Sequence, residues 1–537
     1  MLPHIEKTIR FLAKSHDPSS VDLLRSLLYH IERDVREKAF EGLYLKKIPA
    51  VLLELFHLVS NNERQWMTAE FLTTERMSRL AEEAIRSGDL ELAKAGCDMA
   101  IRNKLYETMP AITSLLELPR PEWGALSAEM ILKLATCFYQ QLADAGSDLE
   151  RRNMDRRRKW FASQLEEPVQ RYAIHQQIAP VQAFLLVAKR NSDFLLKILG
   201  DVHSQVCKTI VDLLQDNEEG CYYRLLLGFV SDADAPPVID LILTAKEDKK
   251  FISNLLNTVG NTPSQSMKDA LRRFNAFNWI DPDNEAIADL IAGEEVAFVQ
   301  LIANASLPRE TTLAMFELIF QLPSVEGRRA AVKAVRALNG EDVNRILINA
   351  ACDSDPTVCS DVLRVMKAKR IKEVDQIIML NYDHPSPLVR TTIYELMPEF
   401  RIETFFQKVG QMTEDMSRIL GRIVRSIDPN VHKRINEEIV SAIPVRRRMA
   451  IDATRYTNLA TDYEEALINI VETDDEIEVR IAACMTLAQV LTDEARQTLE
   501  QAAASRNLAF QRAGILASEE WRNNMEQQRE TVATSLK

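Results

Sequence analysis

Apolar side chains recur along this chain at the spacing of one face of an α-helix. Six segments carry apolar residues at positions i, i+4 and i+7 or i+8, as in a helix with one buried face. Their first positions are 27 to 34 residues apart, which leaves room for two helices and two short turns. The segments are Ala331/Val335/Leu338, Val358/Val362/Val365, Val389/Ile393/Leu396, Met416/Leu420/Ile423, Val445/Met449/Ala453 and Val479/Ala483/Leu487. The pattern predicts stacked helix pairs, in which these segments are the second helices.

A short phrase introduces several of these second helices. Asp383 to Arg390 and Asp474 to Arg480 both consist of an acidic residue, a variable loop and a Val-Arg pair. The same phrase occurs upstream at Asp34 to Arg36. A seventh unit is expected near Phe510, although Gly514 occupies a position at which the pattern predicts an apolar residue. Recurrence at a period of about 30 residues is typical of a solenoid, because a single unit cannot bury its own apolar face.

This phrase resembles that of the HEAT-repeat, armadillo-type superfamily, and looks most like the short HEAT-like units of bacterial proteins. The resemblance covers about Ala331 to Ala517 and is patchy before that; Cys359 and Ser417 stand where the family has arginine. It implies an all-α, right-handed α-solenoid of stacked antiparallel helix pairs. It also implies that loop acids and helix-start arginines tie neighbouring repeats together. That role would fall to Asp34, Arg36, Asp383, Arg390, Asp474 and Arg480.

Chain length, glycine content and two irregular stretches indicate how the helical pattern is organised along the whole chain. With 537 residues the chain exceeds the size of a single growing core, and only 15 glycines leave little material for β-turns. Two irregular stretches interrupt the helical pattern, one after residue 143 and one between residues 258 and 285. We expect an N-terminal section (1–143), a central section (144–290), a C-terminal repeat array (291–526) and a frayed tail (527–537).

The net charge and the cysteines indicate which partners and which cellular compartment suit the chain. A net charge of -13 opposes general attraction to a nucleic-acid backbone or an anionic membrane. No apolar run reaches the roughly 20 residues needed to span a bilayer, and no leader pattern opens the sequence. The seven cysteines are scattered and odd in number, which favours a reducing cytoplasm.

Residues for catalysis or metal binding do not stand out. The eight histidines form no metal-ligand spacing with each other or with cysteine, and there is no glycine-rich phosphate loop or nucleophile elbow. We therefore expect no catalytic residue, no cofactor and no metal site. The many acidic residues are interpreted as solvated helix faces.

Two basic clusters are the candidate contact surfaces. The first is the segment 151–161, which has six basic residues and one acidic residue within an acidic chain; its candidates are Arg151, Arg152, Arg156, Arg157, Arg158, Lys159 and Trp160. The second is the run of Arg446, Arg447 and Arg448. Either cluster can contact a partner through charge. The alternative is a solvated helix in the first case and a ladder between repeats in the second.

These observations favour a non-enzymatic scaffold, adaptor or regulatory subunit that binds another protein along a solenoid groove. Two alternatives remain open, both by fold analogy. One is a nucleic-acid-binding protein like the HEAT-like DNA glycosylases, and the other is a HEAT-like lyase or modifying factor. The partner and the oligomeric state do not follow from the sequence.

Overall fold

The computed structural model describes residues 3–60, 73–144, 148–216 and 220–535. The structure is 74% helical, and its described part contains 33 α-helices and no β-strand. The all-α class predicted from the helical stripes is thereby confirmed. The chain divides into two compact units, residues 1–311 and residues 312–537.

The first unit contains short helices with two long ones near its middle. Its α-helices are α1 (Pro3–Lys14), α2 (Ser19–Leu27), α3 (Arg33–Leu45), α4 (Pro49–Ser60), α5 (Thr74–Ile85), α6 (Leu90–Arg102), α7 (Met109–Ser114), α8 (Pro121–Asp144), α9 (Asp148–Gln170), α10 (Tyr172–His175), α11 (Ala179–Val187), α12 (Asp193–Gly200), α13 (Gln205–Gln215), α14 (Tyr223–Gly228), α15 (Pro237–Ala245), α16 (Lys249–Val259), α17 (Gln265–Leu271), α18 (Ile287–Leu290) and α19 (Glu295–Asn304).

Helix α20 (Arg309–Gln321) begins at the boundary, and the second unit continues from it. The remaining α-helices are α21 (Val325–Val335), α22 (Glu341–Ala350), α23 (Pro356–Ala368), α24 (Val374–Leu380), α25 (Pro387–Leu396), α26 (Ile402–Lys408), α27 (Glu414–Ile427), α28 (Val431–Ile439), α29 (Pro444–Tyr456), α30 (Glu464–Thr473), α31 (Ile477–Leu487), α32 (Asp493–Ala503) and α33 (Leu508–Ser535).

Stacking in the second unit follows the order of the chain. The second helices α21, α23, α25, α27, α29, α31 and α33 each pack against the next one in that series. In several pairs the first helix packs against its own second helix, as α28 does on α29 and α30 on α31. Each pair therefore completes its core only with its neighbours, and the predicted α-solenoid is confirmed. The handedness of the superhelix stays a prediction.

All six stripes predicted from the sequence fall on second helices of this stack. Val358, Val389, Val479 and Ala483 are fully or almost fully buried, so their helices have the predicted register. In α27 and α29 the start of the predicted stripe is wrong, because Met416 is 55% exposed and Val445 is 65% exposed, whereas Ile423 and Ala453 at its end are buried. The buried face of these two helices is rotated by about one residue, or 100°. Besides Ile423 and Ala453, these helices bury small and β-branched residues, namely Ser417, Gly421, Val424, Ala450, Ile451 and Thr454.

Two glycines explain where the apolar pattern fails. A Cβ on Gly421 would lie 2.3 Å from the carbonyl oxygen of Tyr456, at the end of α29. A Cβ on Gly514 of α33 would lie 2.4 Å from the backbone nitrogen of Ala503, at the end of α32. Both positions bring a helix against the backbone of its neighbour, which only glycine allows. At these two positions the helices pack through direct contact of their backbones, without an apolar side chain between them.

The first unit follows the same principle less regularly. Helices α4, α6, α8, α11, α13 and α15 pack in succession, while the 23-residue helix α9 lies against α7 and α11. At the other end of the chain, α33 runs to Ser535 and so continues helically into the segment expected to be frayed. The sectional boundaries at 143 and 290 stay predictions.

Candidate interaction surfaces

An arginine in the second turn of several helices binds the loop that precedes it. In α3 the guanidinium of Arg36 donates to the carbonyl oxygens of His30 (2.7 Å) and Ile31 (2.9 Å). In α25 Arg390 donates to the carbonyl oxygens of His384 (2.6 Å) and Pro385 (3.0 Å). The same spacing of five and six residues in both places shows a repeated local clamp. It fixes the loop between the two helices of a pair.

In two repeats the clamping arginine also reaches the next repeat. Arg447 donates to the carbonyl oxygen of Ser441 (2.8 Å) and forms a two-pronged ion pair with Asp474 (2.8 and 2.9 Å). Arg328 donates to Leu322 (2.7 Å) and pairs in the same way with Asp353 (2.7 and 3.1 Å). Two parallel charge-assisted hydrogen bonds hold both position and orientation. These residues form the ladder between neighbouring repeats.

The ladder carboxylate of Asp474 is held in the ionised form. Burial alone would raise the pKa of Asp474, but hydrogen bonds from Arg447 and from the Glu476 backbone outweigh it, so this pKa lies below its usual value. Both ladder acids also accept hydrogen bonds from their own loops. Asp474 accepts from the Glu476 N–H (2.9 Å), and Asp353 accepts from the Asp355 N–H (2.8 Å). Each ladder acid thus closes its own loop and binds the preceding repeat.

The other sequence-predicted ladder residues have different partners. Arg480 donates to the carbonyl oxygen of Val471 (2.8 Å), and its guanidinium lies 4.4 Å from the ring centre of Phe510. Asp383 accepts a hydrogen bond from the hydroxyl of Ser426 (3.1 Å). Asp34 is exposed in the first turn of α3. Arg328 and Asp353 were missed by sequence reasoning because the first stripe was placed to begin one turn late, at Ala331.

A second set of cations binds the carbonyl ends of neighbouring helices. Arg425 of α27 donates to Asn458 (2.7 Å), just after α29, and Lys246 donates to Gln215 (3.0 Å), the last residue of α13. Arg158 of α9 donates to the carbonyl oxygens of Val187 and Ala188, both at 2.6 Å. Helix C-termini leave unsatisfied carbonyl groups with a partial negative charge, which these side chains neutralise.

The side chains of the cluster Arg446 to Arg448 form ion pairs within the fold. Arg447 belongs to the ladder, and its side chain is only 15% exposed. Arg448 pairs with Glu478 of the next repeat at 3.1 Å, and Arg446 approaches Glu438 at 3.7 Å. The structure thus places the cluster in contacts between helices. We leave these residues out of the proposed contact surface.

The cluster on α9 divides into an inner and an outer face. Phe161 is fully buried, stacks on Phe138 at 4.9 Å and meets Tyr106 edge-on at 5.8 Å, which anchors the helix. On the same side, burial and the nearby Arg224 lower the pKa of Arg158, whose guanidinium caps α11. Arg157 pairs with Glu107 at 3.4 Å. These contacts attach the inner face to the first unit.

The outer face of α9 carries cations that form no hydrogen bond or ion pair with the described part of the chain. Arg152, Arg156 and Lys159 are exposed, and their spacing of four and three residues places them in one line along the helix. Trp160, next to this line, is 39% exposed. The side chain of Arg151 lies outside the described residues. We call Arg152, Arg156, Lys159 and Trp160 the basic stripe.

Among the described residues, no group of three or more His, Cys, Asp or Glu side chains is placed to hold a metal ion. No described helix has both the length and the apolar character needed to cross a membrane.

Comparisons with known proteins concern the fold. No protein-family model matches the chain, and no curated protein matches it. A structure from work on a phosphorylation switch between cadherin and beta-catenin is 10% identical, with a TM-score of 0.33, and the match covers 94% of this chain and 99% of that one. Importin beta is 13% identical with a TM-score of 0.22, and the match covers 98% of this chain and 81% of importin beta.

A structure of Kap121p bound to Pho4p is 12% identical, with a TM-score of 0.22; the match covers 98% of this chain but 53% of Kap121p. This chain therefore spans about half the length of that protein. Since these scores are low, the fold assignment rests on the successive second helices and the arginine ladder described above. The chain is an α-solenoid of stacked helix pairs, the architecture that the resemblance to HEAT repeats implies.

Proposed function

We propose that this solenoid is a non-enzymatic scaffold or adaptor, and that its basic stripe binds an acidic segment of another protein. The observation that carries the proposal is the contrast within α9. Arg157 and Arg158 are used to attach the helix, whereas Arg152, Arg156 and Lys159 are held in one exposed line without a partner among the described residues. Charged side chains that the fold does not use remain available for a ligand.

Charge supports an acidic partner. The chain carries a net charge of -13, so this local line of three cations has the opposite sign to the charge of the whole chain. Such a line attracts an acidic segment, while the rest of the chain repels anionic polymers at long range. Trp160 adds apolar contact area beside the cations, as aromatic residues do at the centres of many interfaces. The attraction should weaken with salt, since exposed charges are screened beyond about 8 Å at physiological ionic strength.

An acidic protein segment suits the stripe better than a nucleic acid. Arg152 and Lys159 are seven residues apart, which is about 10 Å along a helix. Binding to duplex DNA commonly uses roughly 6–10 phosphate contacts, more than three cations provide. A short acidic segment needs only two or three partners over that distance. We place the protein in a reducing cytoplasm as part of this proposal, because all seven cysteines are free thiols.

The proposal can be tested with a labelled glutamate-rich peptide as the probe. Replacing Arg152→Ser, Arg156→Ser and Lys159→Gln should weaken binding at low salt by about tenfold, since each exposed ion pair contributes up to about 1 kcal/mol. A matched control removes three exposed cations from the other unit, through Arg506→Ser, Arg512→Ser and Arg522→Gln, with the same change of charge. The control should bind like the parent. Equal affinity of parent and stripe variant would overturn the proposal.

A further inference from the structure

A groove lies at the carboxyl end of α9 and continues the outer face of that helix. It has a volume of about 350 Å³ and lies between the last turns of α9 and the segment of α7 with the following short 3-10 turn, Leu115–Glu117. Ser163, Gln164 and Glu167 of α9 line one wall. These residues follow Lys159 by one to two turns on the exposed side. The basic stripe and the groove therefore form one continuous track.

The groove has the opposite charge to the stripe. Glu117 and Glu167 both line it, and both pair with Arg171, Glu167 at 2.9 Å. Among the described residues of the lining, His175 is the other titratable side chain, and backbone groups contact both of its ring nitrogens. Its Nδ1 accepts the Gln177 N–H (3.0 Å), and its Nε2 lies 2.7 Å from the carbonyl oxygen of Pro168. Two carboxylates against one guanidinium leave the groove with a net negative charge.

Its neutral polar groups are mainly hydrogen-bond acceptors. The hydroxyls of Ser114 and Ser163 donate to carbonyl oxygens of their own helices, those of Ala111 and Trp160, both at 2.7 Å. Because each hydroxyl has used its one proton, its oxygen can only accept further hydrogen bonds. Pro168 lies inside α9 and has no N–H, so it cannot donate to the carbonyl oxygen of Gln164. A ligand group that fits this lining is positively charged and rich in donors.

We propose that the groove binds a lysine or arginine side chain of the same segment whose acidic residues lie on the stripe. This inference rests on the proposed function and deepens it: α9 recognises a segment that is acidic at one end and basic at the other. Arg152 and Glu167 are 15 residues apart, about 22 Å along the helix. An extended segment of about seven residues covers that distance. Opposite charges at the two ends of the track fix the direction in which the segment lies.

Three fluorescein-labelled peptides of about seven residues test this. One is made of Glu and Ser only, and the others carry an added Arg at the amino end or at the carboxyl end. One arginine-ended peptide should bind the parent at low salt about twofold more tightly than the acidic peptide, the share of one exposed ion pair in the tenfold expected from three. The peptide with Arg at the other end should gain nothing. Glu117→Gln with Glu167→Gln should remove the gain.

The control variant neutralises two other exposed, paired carboxylates of the same unit, Glu75→Gln with Glu91→Gln. It should keep the gain. The inference is overturned if neither arginine-ended peptide binds more tightly than the acidic one, or if the gain survives the loss of Glu117 and Glu167. Binding of the acidic peptide without any gain would overturn the groove inference alone. No low-salt binding of the acidic peptide to the parent would overturn the proposed function and this inference with it.

Discussion

The runs Arg156 to Lys159 and Arg446 to Arg448 look alike in the sequence but have different surroundings in the fold. In the second run, each arginine faces an acidic residue, and Arg447 binds both its own loop and Asp474 of the next repeat. In the first run, two arginines attach α9 to the first unit, while its other charges point away from it. The density of positive charge is similar, but only the α9 cluster leaves charges available.

Position in the repeat explains this difference. An arginine in the second turn of a second helix lies beside the loop before it and beside the acidic loop of the next repeat, so the fold uses its charge. Helix α9 is a long helix outside the regular stack, and its exposed line meets no such loop. The contrast indicates that a basic run in a solenoid is a candidate binding surface only where it falls outside the ladder positions.

The largest expected effect tests the stack that contains the second run. Ala483→Asp places a carboxylate at a fully buried position of α31, a helix that packs against α29 and α33. We expect a loss of about 4 kcal/mol in the free energy of unfolding, typical of a buried unpaired charge. Chemical denaturation measures this. A variant as stable as the parent would contradict the register of α31.

The ladder itself can be broken at its arginine. Arg447→Ala leaves Asp474, whose side chain is 7% exposed, without its two-pronged partner. The expected loss is about 3 kcal/mol, because a nearly buried carboxylate then lacks compensation. Arg446→Ala, one residue away and 58% exposed, is the matched control and should change stability by less than about 0.5 kcal/mol. Equal effects of the two substitutions would remove the distinction between ladder and surface.

The first run should show the same contrast on a smaller scale. Arg158→Ala removes the donor to the carbonyl oxygens of Val187 and Ala188, with an expected cost of about 2 kcal/mol for leaving them unsatisfied. Arg156→Ala on the outer face should cost less than about 0.5 kcal/mol. Thermal melting of the two variants checks this. If Arg156→Ala is the more destabilising, the assignment of inner and outer faces is wrong.

Acid should weaken the ladder at Asp474. The folded-state pKa of Asp474 lies below its usual value, so its contribution to stability is full above the unfolded pKa of about 3.9 and is lost as the pH falls through the lower folded value. The parent should therefore lose stability between about pH 5 and pH 3 more steeply than Arg447→Ala. Denaturant midpoints across this range measure the difference. Parallel curves would show that the pair does not hold the proton off Asp474.

The sequence predicts the stack well and the contacts of individual charges poorly. Apolar periodicity located all six second helices, because burial of one helix face imposes a regular spacing. It failed at Gly421 and Gly514, where backbone contact replaces a side chain and leaves no apolar signal. Asp474 stood out in the repeated phrase, but its partner Arg447 did not, since three consecutive arginines give no indication of which one faces the loop. The groove beside α9 depends on residues about 50 positions apart, as in the pair of Glu117 and Arg171, and no local pattern connects them.

The difference between the two runs can be measured on the parent protein at single-residue resolution. Phenylglyoxal modifies arginine side chains whose donors are free, and peptide mass spectrometry gives the rate for each one. We predict fast modification of Arg152 and Arg156 and slow modification of Arg447. At low salt, a glutamate-rich peptide should protect Arg152 and Arg156 from modification but should not protect Arg448. Equal rates for Arg156 and Arg447, or no protection of the stripe at a peptide concentration that saturates binding, would contradict these predictions.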